Sequence, residues 1–283
     1  AMLLIADGGS TKVDWCLIDQ GNIVKRVSTS GANPFFRSRE DISRELAAKL
    51  VPALKVNEIK AIYFYGAGCA FPEKKQIIRE AIADNLNAGM IEVGSDLLGA
   101  AIGLCQNQPG IVCILGTGSN SCFYDGGKIV KNVSPLGYIL GDEGSGAVLG
   151  RLFTGACLKN QFSKGIRESF LEYLEMDVSQ LLDRVYKQPL ANQFLASIVP
   201  FIQSNIHESC VYDLVYQAFI DFFKKNVMQY DHQGHAVFFT GSVAYYFKDI
   251  LCEAAASLNI HIEKTEQSPM SGLIRYYTSL FSS

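Results

Sequence analysis

One layout of residues occurs twice in this chain, and it limits the folds that the chain can form. Residues 111–124 consist of an apolar run, a turn with glycines and hydroxyl side chains, and a second apolar run. Residues 3–18 have the same layout at the start of the chain. Each segment is typical of a β-hairpin with a tight glycine turn at its tip. Because the layout is repeated, the sequence predicts two related halves that hold one ligand between their turns.

The composition of the two turns suits an anionic ligand. Glycine permits positive φ angles and lets another group approach the backbone closely. Backbone N–H groups and hydroxyls in such a turn can donate hydrogen bonds to phosphate oxygens. An ordinary glycine-rich turn remains an alternative for either segment alone, because short glycine motifs are common.

Five short motifs carry a resemblance to a known superfamily. In chain order they are DGGSTK at 7–12, SD at 95–96, LGTGSN at 115–120, GDEGSG at 141–146 and FTGSVA at 239–244. With these motifs the chain resembles the sugar kinases of the actin, hexokinase and heat-shock chaperone superfamily. Within it, the chain is most similar to the N-acetylglucosamine kinases and to their relatives, the BadF/BadG/BcrA/BcrD-type ATPases that activate benzoyl-CoA reductase and 2-hydroxyacyl-CoA dehydratases.

The resemblance implies an α/β fold with two ribonuclease H-like lobes, which is the actin-like ATPase and sugar kinase fold. Residues 1–105 with 267–283 are expected to form the N-terminal lobe, with the first phosphate turn and the sugar-side loops. Residues 106–266 are expected to form the C-terminal lobe, with the second phosphate turn and an adenosine loop. Apolar residues at three- and four-residue spacing predict a helical insert over 159–234 in this second lobe.

The resemblance also assigns roles to individual side chains. Asp7 is expected to act on Mg²⁺ through water, and Asp96 is expected to accept the proton of an attacking sugar hydroxyl. The residues expected to contact the sugar are Asn33, Asp96, Ser119, Asn120 and Asp142. The residues expected to bind ATP and its phosphates are Gly8, Gly9, Ser10, Thr11, Lys12, Gly116, Thr117, Gly118, Gly241 and Ser242.

Local alternatives stay open for several of these side chains. Asp7 before two glycines is also typical of a turn, and Asp96 next to Ser95 is typical of a helix N-cap. Asp142 is also suited to the positive end of the helix that follows it. Lys12 can be a solvated residue at the end of a strand.

The implied reaction is ATP-dependent phosphorylation of an amino sugar in a cleft between the lobes. N-acetylglucosamine is the expected acceptor and its 6-phosphate the expected product, with ATP and Mg²⁺ as cofactors. One alternative is an ATPase activator of a dehydratase or reductase, although such activators typically carry GGQD where this chain has GTGSN at 116–120. A kinase for another hexose derivative, a non-catalytic sugar sensor and an actin-like assembly protein are further alternatives.

Composition limits the partners and the location of the protein. The formal charge of −3, from 25 basic and 28 acidic residues, disfavours nucleic acid as a partner. No apolar run approaches the roughly 20 residues that a membrane-spanning helix needs. The eight cysteines are scattered without a C-x-x-C pair, which favours buried, reduced thiols. We therefore expect a cytoplasmic protein without a membrane or nucleic-acid partner, and leave a homodimer open.

Overall fold

The strands of the computed structural model, which describes residues 1–282, form two five-stranded sheets. The strands are β1 (Met2–Gly8), β2 (Lys12–Asp19), β3 (Asn22–Ser30), β4 (Ala61–Gly66), β5 (Ile91–Ser95), β6 (Gly110–Leu115), β7 (Ser119–Tyr124), β8 (Ile129–Lys131), β9 (Val237–Thr240) and β10 (Ile262–Glu266). The first sheet has the order β3-β2-β1-β4-β5 and the second has the order β10-β9-β6-β7-β8. Read from its other edge, the second sheet repeats the strand order of the first.

Helices surround both sheets. They are α1 (Arg39–Glu45), α2 (Val51–Leu54), α3 (Pro72–Ala83), α4 (Asp96–Cys105), α5 (Gly137–Leu140), α6 (Gly146–Leu158), α7 (Ile166–Leu174), α8 (Val178–Tyr186), α9 (Ala191–Ala196), α10 (Val199–Ser204), α11 (Ser209–Lys225), α12 (Ser242–Tyr246), α13 (Lys248–Ser257) and α14 (Met270–Ser282). A π-helical turn, Leu46–Leu50, joins α1 to α2, and a 3₁₀ turn, Val227–Gln229, follows α11. The α/β class expected from the sequence is confirmed.

The chain divides into two compact units. Unit 1 contains Ala1–Pro109, Tyr124–Ile129 and the segment from Ser268 onwards, and unit 2 contains Gly110–Phe123 and Val130–Gln267. The turn after β7 belongs to unit 1 because it packs on the end of α4. There the Tyr124 hydroxyl donates to the Gln106 carbonyl at 3.1 Å. The lobe boundaries at 105/106 and 266/267 remain our proposal for the functional division.

In unit 1, β1, β2 and β3 form an antiparallel meander, while β1, β4 and β5 run parallel. Trp15 is fully buried on one face, where its Nε1–H donates to Thr29 Oγ1 at 2.8 Å and its ring contacts Phe64. Because β1, β4 and β5 are parallel, their carboxyl ends lie at one edge of the sheet. Ligands collect at such an edge in α/β folds.

In unit 2, β6, β9 and β10 run parallel, and α7 to α11 supply the helical insert predicted between β8 and β9. The core of unit 2 is rich in fully buried aromatic side chains, which include Phe153, Phe170, Phe219, Phe222 and Phe223. Within residues 1–282, no helix combines the length and the apolar character that crossing a membrane requires.

The expectation of buried thiols holds for six of the eight cysteines, whereas Cys210 and Cys252 are exposed. Both exposed residues lie on amphipathic helices, α11 and α13. Cys105 in α4 and Cys157 in α6 are both buried, so neither thiol is placed to hold a cluster shared with a second chain, as the activator alternative would require.

Candidate active site

The backbone of the first glycine turn, between β1 and β2, is fixed by hydrogen bonds to other backbone groups. The Gly9 N–H donates to the Lys12 carbonyl at 3.0 Å, and the Gly31 N–H donates to the Thr11 carbonyl at 2.9 Å. A Cβ atom on Gly31 would overlap the Ser10 carbonyl, so only glycine allows the loop after β3 to lie this close. We define turn 1 as residues 8–11. Its conformation therefore depends on contact with Gly31, a residue outside the turn whose role the sequence did not predict.

Two carboxylates, those of Asp7 and Asp96, lie close together at the carboxyl edge of the unit 1 sheet. Asp7 belongs to the end of β1, and Asp96 is the first residue of α4, directly after β5. Burial and then the negative charge of Asp96 raise the pKa of Asp7 to about 7, and burial also raises the pKa of Asp96. A pair of carboxylates whose charged forms are disfavoured is a site that a cation would stabilise.

The alternative role of Asp96 as a helix cap is filled by its neighbour. Ser95 is the N-cap residue of α4, and its hydroxyl accepts the Leu98 N–H at 3.1 Å. Asp96 accepts the adjacent Leu97 N–H at 3.0 Å through Oδ1. Capping therefore does not require the Asp96 carboxylate, which is left available for a ligand.

Asp7 is likewise not the residue that closes turn 1, because the closing hydrogen bond joins Gly9 to Lys12. Its side chain instead contacts Ser268, whose hydroxyl donates to Asp7 Oδ2 at 3.3 Å. Lys12 is the exposed first residue of β2. Its positive charge opposes, but does not cancel, the rise in the pKa of Asp7. Sequence reasoning missed Ser268, because the local pattern there indicates only a helix start before Pro269.

Asn33 lies in the loop after β3 and is held against the turn after β4. Its Oδ1 accepts the Phe35 N–H at 2.9 Å. A Cβ atom on Gly68, which has φ +79°, would overlap that same oxygen. Burial, and then the negative charge of Asp96, raise the pKa of the thiol of the next residue, Cys69, to about 12. Asn33 and Asp96 thus lie at the same edge of the sheet.

The second glycine turn, between β6 and β7, docks on the start of α6. The Gly146 N–H donates to the Gly116 carbonyl at 2.7 Å, and the Ala147 N–H donates to the Thr117 carbonyl at 3.0 Å. Ser145 caps the helix by accepting the Val148 N–H at 3.1 Å. These bonds use the first N–H groups of α6, so the helix fixes the turn rather than offering its own N-terminus to a ligand.

Turn 2, which we define as residues 116–118, keeps donors for a ligand. Its Gly116 N–H donates to the Gly118 carbonyl at 2.9 Å. The N–H groups of Thr117 and Gly118 have no acceptor among residues 1–282. Two adjacent backbone donors of this kind suit the oxygens of a phosphate group.

Asp142 lies beside turn 2 and is not the cap of α6, because Ser145 has that role. Its Oδ1 accepts the Ser119 N–H at 3.2 Å, and a Cβ atom on Gly118 would lie 3.1 Å from its Oδ2. Asp142 has φ +49°, which is uncommon outside glycine. Burial raises the pKa of its carboxyl to about 6.

Asn120 uses one end of its side-chain amide within the protein. Its Oδ1 accepts the Ser121 N–H and the Asn132 Nδ2–H, both at 2.9 Å. The Nδ2 of Asn120 has no acceptor among the described residues, so the donor end of the amide is available for a ligand. This orientation could not be predicted from the sequence, since Asn132 lies on the segment after β8.

The Gly241–Ser242 turn after β9 lies next to turn 2. Gly241 has φ +116°, and a Cβ atom there would overlap the carbonyl of Leu115, the residue before turn 2. Ser242 is the first residue of α12. The close approach of the two backbones therefore depends on glycine at position 241.

The predicted residues thus form two groups, one in each unit. In unit 1 they are Asp7, Gly8, Gly9, Ser10, Thr11, Lys12, Asn33 and Asp96. In unit 2 they are Gly116, Thr117, Gly118, Ser119, Asn120, Asp142, Gly241 and Ser242. The two groups occupy equivalent places at the strand ends of two sheets with the same strand order.

Comparisons with known proteins agree with this architecture. Residues 6–169 match the model of the BadF/BadG/BcrA/BcrD ATPase family. An N-acetylmuramic acid/N-acetylglucosamine kinase from Clostridium acetobutylicum is 26% identical over 212 residues, which cover 70% of this chain and 68% of that relative.

Two solved structures extend the comparison to nearly the whole chain. One, from Porphyromonas gingivalis and provisionally named an N-acetylglucosamine kinase, is 45% identical with a TM-score of 0.95, and the match covers 98% of this chain and 99% of the other. A ROK family glucokinase from Streptomyces griseus, solved with glucose and AMPPNP, is 15% identical with a TM-score of 0.60 and 99% coverage of both chains. At that identity the second likeness shows the fold alone.

Proposed function

Because the chain belongs to the BadF/BadG/BcrA/BcrD ATPase family, we propose that it is an ATP-dependent kinase whose acceptor is N-acetylglucosamine. The names of the relatives from P. gingivalis and C. acetobutylicum support an amino sugar as the acceptor. The observation that carries the proposal is the position of Asp96, which begins α4 beside Asp7 while Ser95 performs the capping. Use of ATP fits the cytoplasmic location expected from the sequence.

Asp96 is the general base in this proposal. Its carboxylate accepts the proton of the attacking sugar hydroxyl, which we take to be the 6-hydroxyl, so that the product is the 6-phosphate. Burial raises its pKa above the ordinary value, which makes the carboxylate a better proton acceptor than an exposed one. Phosphoryl transfer otherwise depends on positioning and charge stabilisation, which the backbone of the two turns can supply.

The acceptor sugar is bound by side chains with complementary hydrogen-bonding ends. Asp142 accepts hydrogen bonds from sugar hydroxyls, and Asn120 donates from its Nδ2. Ser119 and Asn33 complete the proposed set of contacts. The oxygen of Asn33 is already engaged by Phe35, so its amide nitrogen is the end that we assign to the sugar.

The proposed nucleotide contacts are mainly backbone groups of the glycine turns that the sequence predicted. In this proposal the phosphates accept hydrogen bonds from the N–H groups of Thr117 and Gly118. They also accept from the turn formed by Gly8, Gly9, Ser10 and Thr11 and from the side chain of Lys12. Gly241 and Ser242 line the adenosine, because a glycine turn lets the base and ribose lie against the backbone.

Asp7 fits the requirements of a Mg²⁺ site. The ion commonly keeps several waters and uses one or two carboxylates together with substrate phosphates, and the repulsion between Asp7 and Asp96 would be relieved by a cation. Asp7 would hold the ion through water. When bound, Mg²⁺ would neutralise charge on the phosphates of ATP.

The test is the Asp96→Asn variant in a coupled assay with ATP and a panel of sugars with and without the acetamido group. We expect kcat to fall at least about a hundredfold, at the lower end of what loss of a general base costs, while ATP binding is retained. Asp249→Asn is a matched control, since Asp249 is an exposed acidic residue in the first turn of α13. Near-normal turnover of Asp96→Asn would remove Asp96 as the base, and equal rates with all sugars would remove N-acetylglucosamine as the specific acceptor.

A further inference from the structure

We propose that Ser268 is a positioning residue that orients the Asp7 carboxylate toward the metal–nucleotide complex. The proposal rests on the kinase function proposed above and adds a residue to its machinery. Ser268 is the first residue of unit 1 after the chain has completed unit 2.

The Ser268 hydroxyl makes two hydrogen bonds in opposite directions. It donates to Asp7 Oδ2 at 3.3 Å and accepts the Met270 N–H at 3.1 Å. The donated bond fixes one oxygen of the carboxylate and leaves Oδ1 for a ligand. The accepted bond ties the hydroxyl to the start of α14, so the direction of donation is set by the helix.

The start of α14 is itself held firmly, because α14 crosses α4 with backbone contact. A Cβ atom on Gly272 would overlap the Gly103 carbonyl, and one on Gly103 would lie 2.7 Å from the Pro269 carbonyl. The Gln106 Nε2–H donates to the Gly272 carbonyl at 2.9 Å. The position of Ser268 is therefore determined by the packing of two helices and not by a flexible linker.

Two side chains at the starts of this pair of helices, those of Asp96 and Ser268, act on Asp7. The N-terminal end of α4 carries Asp96, whose charge acts on Asp7, and the N-terminal end of α14 follows Ser268. One neighbour repels the Asp7 carboxylate and the other donates to it. Because α4 and α14 pack on each other, the hydrogen bond from Ser268 favours one orientation of the Asp7 carboxylate in the protein without metal.

The hydroxyl has to donate and accept at once, which defines the substitutions for a test. Threonine keeps both functions, whereas valine has the same shape as threonine without the hydroxyl. We therefore compare Ser268→Thr with Ser268→Val, and use Ser268→Ala as a second hydroxyl-free variant if valine disturbs folding.

The measurement is the affinity for Mn²⁺–ADP, followed by calorimetry and by the electron paramagnetic resonance of Mn²⁺, which needs no turnover. We expect about tenfold weaker binding in the variants without the hydroxyl, as for loss of a hydrogen bond to a charged group. Ser268→Thr should bind within about twofold of the unaltered protein. Affinity for ADP without metal should be the same in all variants.

Ser38→Ala is the matched control. Ser38 caps α1 by accepting the Asp41 N–H at 3.1 Å, so its loss destabilises a helix start without reaching Asp7. It should lower thermal stability and leave Mn²⁺–ADP affinity unchanged. If the Ser268 variants without the hydroxyl bind Mn²⁺–ADP as tightly as the threonine variant, the positioning role is overturned and the kinase proposal stands. If the unaltered protein does not bind Mn²⁺–ADP at all, the kinase proposal itself fails.

Discussion

Asp142 carries two features that each lower the stability of the ligand-free protein. Its φ of +49° costs on the order of 1 kcal/mol for a non-glycine residue. Its carboxyl has a pKa raised to about 6 by burial, so the ionised form is disfavoured in the folded state. Residues of this kind are typical of binding sites, and sugar hydroxyls that donate to the carboxylate would offset the second cost.

The charge of Asp142 predicts a pH dependence of stability. The folded-state pKa of about 6 lies above the ordinary value of 3.8, so ionisation lowers the free energy of unfolding above about pH 6 and has no effect below about pH 4. Asp142→Asn cannot ionise. We expect its melting temperature to exceed that of the unaltered protein near pH 8, and the difference to disappear as the pH falls from 6 to 4.

Calorimetric melting between about pH 4 and pH 8 measures this difference, with the exposed Asp249→Asn as the control. A difference that stays constant over the whole range would mean that the charge of Asp142 is not the cause. In that case the left-handed backbone, which asparagine tolerates well, would explain the gain.

At the level of elements, local signals predicted most helices, and tertiary packing decided where they break. Within the insert predicted over 159–234, Ile166–Leu174 and Val178–Tyr186 are helices, the latter with a capping box formed by Asp177 and Gln180. The segment 242–257 consists of two helices, α12 and α13, that meet at Phe247, which is buried. The short helix α5 could not be predicted from apolar periodicity, because its large side chains, such as Leu140, are exposed.

Glycine-to-alanine substitutions are expected to have opposite effects on stability in two helices, at the crossing of α14 with α4 and at an open position of α6. Gly272→Ala would place a Cβ atom onto the Gly103 carbonyl, and we expect a loss of about 1–3 kcal/mol in the free energy of unfolding, as for overpacking. Gly155→Ala in α6 meets nothing within 4 Å and should gain about 0.5–1 kcal/mol. Urea unfolding of both variants measures the contrast, and equal stabilities would show that the two helices can separate without cost.

At the level of the whole chain, the repeated hairpins predicted two related halves, and each hairpin begins a sheet of the same strand order. The sequence also predicted which residues end the strands that carry the candidate site. It did not predict the contacts that hold those residues, such as Ser268 with Asp7 or Gly146 with Gly116. These contacts join residues that are far apart in the chain, so no local pattern carries a signal for them.

The proposed metal chemistry makes a prediction for the whole molecule. Asp7 alone contributes a carboxylate to the Mg²⁺ site in our proposal, so the ion should bind with the nucleotide and not before it. Binding to the folded state stabilises it by about 2.7 kcal/mol at a ligand concentration of 100 times Kd. We expect Mg²⁺–ADP to raise the melting temperature by several degrees, and EDTA to reduce that increase to the smaller value given by ADP alone while leaving the melting temperature of the ligand-free protein unchanged. If EDTA lowered the stability of the ligand-free protein, a metal would be held by the chain alone, and the assignment of Asp7 to a nucleotide-dependent site would be wrong.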